Sequence, residues 1–367
     1  MHPAPPIGCT KDDLDTPALC LDLDVMEANI RAMAETCRRH GVAWRPHSKG
    51  HKVAAIARAE VAAGALGVTC AKLAEAELMA AGGVRDILIA NMVVGEQKVR
   101  RLVELRRVAD PIVCIDHVDQ ALPISRAMSE AGLRLRVIIE VDIGLKRVGV
   151  APGEPTLELA RTLAALPGIE LAGIMGYEGH LLAVADADQK ANQIRETLAT
   201  LVATKELLER NGVPCPIVSC AGTGSYVYAV RQPGVTELQA GGAIFMDAYY
   251  RHKCNVPDFD FALTVVATVV SRPVPERAII DAGRKTLHGD FQPPFVVGRQ
   301  DIRVGRLSAE HGELELQGSA QDLRIGDRLE LVPGYADLTT VLHNEYYCFR
   351  QGKLVDIWPI EGRGRLT

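Results

Sequence analysis

Short apolar runs separated by longer amphipathic stretches recur along the chain. They are Val42 to Arg45, ALGVTC (65–70), DILIAN (86–91), PIVCID (111–116), LRVIIEVD (135–142), LAGIMGY (171–177), PIVSCAG (216–222) and TELQAGG (236–242). Runs that are apolar throughout, rather than alternating, mark strands buried on both faces, and the helical periodicity between them supplies the cover. Eight such units predict a closed parallel (β/α)8 barrel of the TIM type. An open doubly wound sheet is the competitor, but no GxGxxG follows a strand. Ahead of the barrel, TPALCLDLDVMEANIRAMAETCRRHG predicts a strand and then a helix. Asp24 is its expected cap, Met26, Ile30, Met33 and Cys37 share one face, and Gly41 closes it. The strand VAWRPHSK is expected to end on Lys49.

After Tyr250 the texture changes. FALTVVATVVSRPVPERAIIDAG, FVVGRQDIRVGRLSAEHGELELQ, DRLELVPG and YYCFRQGKLVDIWPI are β-rich, with turn residues between them. The expected division is a barrel over 26–254 and an antiparallel β domain over 255–367, joined by the leading segment 1–25.

Composition narrows the class of protein. A chain of 367 residues that is 48% hydrophobic has ample core, and a net charge of -5 without a basic run argues against nucleic acid or a membrane surface as partner. No apolar run approaches the roughly 18 residues of a membrane span, and MHPAPPIGCTKDDLDTP lacks the order of a signal peptide, so a cytoplasmic protein is expected. The cysteines at 9, 20, 37, 70, 114, 215, 220, 254 and 348 show no CxxC spacing and an odd total, which favours buried thiols over a zinc knuckle or a disulfide framework.

Candidate chemistry centres on RPHSKGHK, Arg45 to Lys52. A lysine at the end of a barrel strand faces the pocket, where a desolvated amine becomes a nucleophile toward an aldehyde. Lys49 is therefore the candidate for covalent attachment of pyridoxal phosphate. That cofactor asks a protein for an amine, a phosphate cradle, a partner for its phenolic oxygen and ring, and proton-moving groups. SCAGTGSY, after the seventh barrel strand, offers glycine N–H groups with the hydroxyls of Thr223 and Ser225, and AGGAIFMDAYY follows the eighth. Arg147 stands just beyond the fifth strand, Tyr177 and His180 just beyond the sixth, and His47 and His51 flank the lysine either as proton relays or as braces for the strand end.

These segments resemble the fold type III pyridoxal enzymes of the D-threonine aldolase, D-serine dehydratase and 3-hydroxy-D-aspartate aldolase group, whose barrel is of the alanine racemase N-terminal type. The matching pieces are TPALCLDLD, HSKGHK, AKLAEAE, EVDIGLKRVGV, GYEGH, AGTGSY, ELQAGGAIFMDAYY, IIDAGRK, LVPG and VDIWPIEGRG. The resemblance implies a homodimer acting on small D-amino acids that bear a β-hydroxyl. It places Lys49 on the cofactor aldehyde, Arg147 near its oxygen, Tyr177 near its ring, and Thr223, Gly224, Ser225, Gly241 and Gly242 around its phosphate. It further implies a retro-aldol lyase, with a dehydratase, a racemase using Tyr335, and a cofactor carrier as alternatives.

One position departs from the pattern. The family holds a divalent metal (magnesium, manganese or zinc) between a histidine and, two residues on, an aspartate or cysteine after LVPG. Here Asp337 takes the second place, but Tyr335 takes the first, and a neutral phenol is a poor ligand. This counts against a metal and makes Tyr335 or His343 the expected acceptor of the β-hydroxyl proton.

Overall fold

The computed structural model describes residues 4–367, so the first three residues of the leading segment lie outside the described residues. Two compact units emerge. One comprises residues up to Ile30 together with Gly242–Arg363, and the other comprises Arg31–Gly241 with Gly364–Thr367.

The chain opens with strand β1 (Ala18–Asp22) and helix α1 (Leu23–Arg39). The helix is capped two residues earlier than the sequence suggests. Asp22, not Asp24, is the cap: its Oδ1 accepts from the N–H groups of Asp24 at 3.0 Å and Val25 at 3.1 Å. Asp24 instead pairs with Arg350 at 2.7 Å. Met26, Ile30, Met33 and Cys37 are all buried, and Gly41, at φ 67°, ends the helix as its position predicts.

The second unit is the barrel. Its strands are β2 (Ala43–Trp44), β3 (Val68–Cys70), β4 (Asp86–Met92), β5 (Asp110–Ile115), β6 (Leu135–Glu140), β7 (Ile169–Met175), β8 (Ile217–Cys220) and β9 (Glu237–Leu238). Each coincides with one of the eight apolar runs. All pairings are parallel, and β2 sits beside β9. A parallel bridge between His47 and Thr69, with Thr69 N–H on the Pro46 carbonyl at 2.8 Å, joins β2 to β3 and closes the ring.

Alternation along a strand puts every second side chain inside, so one strand reads the barrel from bottom to top. On β6, Arg136 lies in a charged layer near the strand starts, bonded to Asp86 at 3.2 Å and Asp110 at 2.7 Å. Buried Arg45 adds to that layer through Asp86 and through Glu237 at 2.9 Å. Ile138 joins Leu88, Ile112, Cys114, Ala172 and Met175 in an apolar layer. Glu140 comes last, at the strand's C-terminal end. The charged layer is a stability device on the face opposite to where barrels keep their chemistry.

The other unit is a nine-stranded sheet. Its further strands are β10 (Leu263–Val274), β11 (Arg277–Ile280), β12 (Phe295–Val296), β13 (Ile302–Leu307), β14 (Gly312–Leu316), β15 (Arg328–Val332), β16 (Glu345–Arg350) and β17 (Lys353–Pro359). The order is β11-β14-β13-β12-β15-β10-β1-β16-β17, and an extra β11–β10 pairing curls six of the strands into a closed ring. The expected antiparallel character has one exception. β1 pairs antiparallel with β10 but parallel with β16, Cys20 opposite Tyr347. The apolar side chains of this region pack as Leu14, Ala18, Cys20, Val266, Phe349 and Leu354. All cysteines but Cys9 are buried and all are free. Among the described residues, no helix is long and apolar enough to cross a membrane.

Candidate active site

Every candidate in the barrel unit lies past the C-terminal end of a strand. Lys49 does not itself end β2. After Trp44 the strand runs on through single backbone bonds, Arg45 N–H to the Leu238 carbonyl at 2.9 Å and His47 N–H to that of Gln239 at 3.1 Å. It then turns through a short 3-10 segment, Ser48–Gly50, that carries the lysine. Pro46 has no N–H to continue the ladder, which explains the break.

The neighbours of Lys49 divide the work. Lys52, held at φ 57°, is buried and ion-paired with Glu75, the carboxylate of AKLAEAE. The other Glu75 oxygen accepts from Ala71 N–H at 2.7 Å and Lys72 N–H at 3.1 Å, anchoring the start of the helix Leu73–Ala81. Lys52 is thus committed to the interior, whereas Lys49, on the turn itself, is half-buried. His51 is buried, with Nδ1 accepting from Val53 N–H at 3.1 Å and Nε2 3.5 Å from Glu60. It braces the turn. His47 Nδ1 lies 3.4 Å from the Lys49 N–H. Burial, then the nearby Lys49 and Lys52 ammoniums, hold its imidazole well below the ordinary histidine range, so it is neutral at physiological pH.

The glycine-rich loop after β8 is stitched from within. Ser225 donates its hydroxyl to Glu178 and its N–H to the Gly222 carbonyl at 3.1 Å, while its oxygen accepts from Gly222 N–H at 3.2 Å. Its hydroxyl is therefore already bonded to Glu178. Thr223 is the opposite case. It is 1% exposed, yet its hydroxyl has no partner, and among the described residues nothing accepts from the N–H groups of Thr223 or Gly224. A buried orphan hydroxyl costs free energy unless a ligand satisfies it. Three unspent donors in one glycine loop are what a phosphate dianion takes, so this donor set fits the phosphate of the expected cofactor.

Gly241 has no room for a side chain, since a Cβ there would lie 2.3 Å from the His47 carbonyl oxygen. The end of β9 is thereby pressed against the turn that bears Lys49. Tyr177 lies on the glycine loop: a Cβ on Gly222 would approach its hydroxyl to 3.0 Å. Arg147 stretches its guanidinium over the Tyr177 ring at 5.8 Å and reaches Glu140 at 3.6 Å. The loops after β6, β7 and β8 therefore meet at Tyr177.

Gly242 and the remaining candidates belong to the sheet unit. A Cβ on Gly242 would stand 2.4 Å from the Tyr250 ring. Tyr335 donates its hydroxyl to Asp337 Oδ2 at 2.9 Å, and rings of Tyr249, Tyr250, Phe291 and His288 surround it at 5.4 to 6.3 Å. Asp247 accepts from Ala336 N–H at 2.8 Å and fixes the segment between them. Burial outweighs its backbone hydrogen bonds and pushes the Asp247 carboxyl up to about 8. A cation at Asp337 would have to displace a phenolic proton. Among the described residues, no group of three or more His, Cys, Asp or Glu is placed to hold a metal ion. The donor set does not fit the family's metal. His343 lies two residues before β16, and its Nε2 is 2.7 Å from the Thr286 carbonyl, a bracing bond that occupies that nitrogen.

Sequence reasoning passed over three residues. Glu140 and Glu178 are carboxylates buried behind Arg147 and Ser225, inside motifs whose neighbours drew the attention. His288 carries a buried Nδ1 without a partner near Tyr335. Nothing in TLHGD signals it, because only the fold brings it there.

A closed barrel with a lysine turn, a donor-rich glycine loop and an arginine over a tyrosine defines an alanine racemase-type cofactor barrel. Residues 21–249 match the family of the alanine racemase N-terminal domain, and residues 262–349 match the putative serine dehydratase domain. The chain is 38% identical over 353 residues to a D-threonine aldolase of Arthrobacter, covering 96% of this chain and 93% of that one. It is 34% identical over 367 residues to a 3-hydroxy-D-aspartate aldolase of Paracoccus denitrificans, covering 98% and 94%. The crystal structure of D-threonine aldolase from Filomicrobium marinum superimposes with a TM-score of 0.95 at 36% identity, over 99% of this chain and 100% of the other. The chain belongs to the family of these D-threonine and 3-hydroxy-D-aspartate aldolases.

Proposed function

We propose that the protein is a pyridoxal phosphate-dependent lyase that breaks the Cα–Cβ bond of a β-hydroxy-D-amino acid of the D-threonine or 3-hydroxy-D-aspartate type. The products are glycine and an aldehyde or oxo acid. The observation that carries the reading is the pairing, at one end of one barrel, of a lysine-bearing turn with a loop whose Thr223 hydroxyl is buried and unspent. When bound, the cofactor supplies an aldehyde for an amine and a ring that takes up the electron pair left at Cα.

The chain's own residues do the rest. Lys49 holds the aldehyde. Thr223 Oγ1 and the N–H groups of Thr223 and Gly224 hold the phosphate, Arg147 faces the phenolic oxygen, and Tyr177 flanks the ring. Neutral His47 orients the Lys49 turn through its bond to the lysine N–H. Tyr335 takes the β-hydroxyl proton while its own phenolic proton passes to Asp337 Oδ2, which already accepts from it. The cytoplasmic location and the homodimer implied by the resemblance are part of the same proposal.

The test is incubation of cofactor-loaded protein with D-threonine, D-3-hydroxyaspartate and D-serine, with and without a strong chelator, assaying aldehyde, oxo acid and ammonia. Retro-aldol products from the first two are expected, at a rate the chelator leaves within about twofold. Complete loss on chelation would overturn the metal-free role of Tyr335. Ammonia as the main product would make the protein a dehydratase. Borohydride fixing the cofactor on any residue but Lys49 would sink the assignment of the site.

A further inference from the structure

The Arg147 side chain is 57% exposed, so packing alone does not hold its guanidinium in one place. What aims it lies beneath. The segment from Asp142 to Gly149 is a closed loop that leaves β6 and returns to it: Val141 bridges to Val150, and Val150 N–H bonds the Glu140 carbonyl at 2.9 Å. Asp142 accepts from the N–H groups of Gly144 at 3.0 Å and Lys146 at 2.9 Å, and Asp116 accepts from Gly149 N–H at 2.8 Å. Lys146, at φ 54°, and Gly149, at φ 109°, turn the chain back so that Arg147 comes to rest above the residue that launched the loop.

That residue is Glu140, the uppermost inward side chain of β6, 3% exposed. Its two oxygens have separate partners. Oε2 accepts the Cys114 thiol at 3.1 Å and Oε1 lies 3.6 Å from Arg147. A carboxylate in an apolar layer is costly, and burial pushes the Glu140 carboxyl up, while the Cys114 thiol and the Arg147 charge pull it back and Asp116 adds to the rise. A core that needed only volume here would use a leucine or methionine, as the layer below does. The carboxylate is explained by what it does to the arginine above it.

We infer that Glu140 is a positioning residue: it fixes the guanidinium of Arg147 over Tyr177 and offsets part of its positive charge, setting how strongly Arg147 favours an anionic oxygen at the mouth. The inference rests on the reading of Arg147 as the partner of the cofactor's phenolic oxygen. An uncompensated guanidinium would stabilise the anionic form of that oxygen more, and it would lose its proton at lower pH.

The experiment is a pH titration of the visible absorption band of the cofactor-loaded protein in the native chain, Glu140→Gln and Glu140→Asp, with melting temperatures alongside. Glu140→Gln keeps shape and removes charge, so its midpoint should fall by about one pH unit. Glu140→Asp keeps the charge and should stay within about 0.3 unit of the native midpoint. A residue that merely supported the loop would lower melting temperature or cofactor content and leave the midpoints equal, and that result overturns the inference. Because the midpoint is read on whatever fraction folds and binds, a less stable variant still decides the matter. A native chain that develops no visible band on loading overturns the cofactor reading and this inference together, whereas a native band whose midpoint Glu140→Gln does not move overturns this inference alone.

Discussion

Thr223 and His47 make claims that a single substitution can check. Thr223→Val removes a hydroxyl that has no partner and keeps the shape, so the cofactor-free protein should melt at the same temperature or slightly higher. Pyridoxal phosphate should bind about tenfold more weakly, since a donor to a charged oxygen is gone, as read by quenching of protein fluorescence on titration. His47 gives a pH signature. Its folded-state pKa lies below that of an unfolded histidine, so the unfolded chain takes up the proton first as the solution is acidified. The stability it contributes is present above about pH 6.5 and is lost as the pH falls toward the depressed value. Melting temperature should therefore decline from pH 7 to 5, and His47→Gln should flatten that decline.

At the scale of elements, the end of β9 packs directly against the turn after β2. Gly241→Ala would push a methyl group into the His47 backbone, and a loss of roughly 1–3 kcal/mol is expected for such overpacking. Denaturant unfolding would measure it, and the displaced turn should cost cofactor binding as well. The glycine itself was visible in the sequence, but its reason was not, because the clash lies between segments far apart along the chain. The barrel strands were legible because burial on both faces leaves an unbroken apolar run. Element edges were less so. Asp22 and Asp24 are both plausible caps, and only the hydrogen bonds separate them. Glu140 and Glu178 read as ordinary acidic residues until the layers of the barrel place them inside.

At the scale of the whole molecule, β1 is the strand that joins β10 to the β16–β17 hairpin in the sheet. Its parallel pairing with β16 could not be read locally, since Cys20 and Tyr347 sit at opposite ends of the sequence. Removing residues through Asp22 should leave two unpaired strand edges and yield aggregated protein, whereas removal of only residues before Gly8 should preserve a soluble chain with a melting temperature near native. Soluble yield and melting temperature would distinguish the two.

That arrangement also dictates an order of events at the ribosome. Cys20 is made early, yet Thr264 and Tyr347, the residues it lies between, emerge only after the barrel strands have been synthesised. Through translation the apolar segment Ala18–Leu21 waits without its neighbours, a sticky ribbon beside a growing barrel. Slow completion of the sheet follows from this long-range closure.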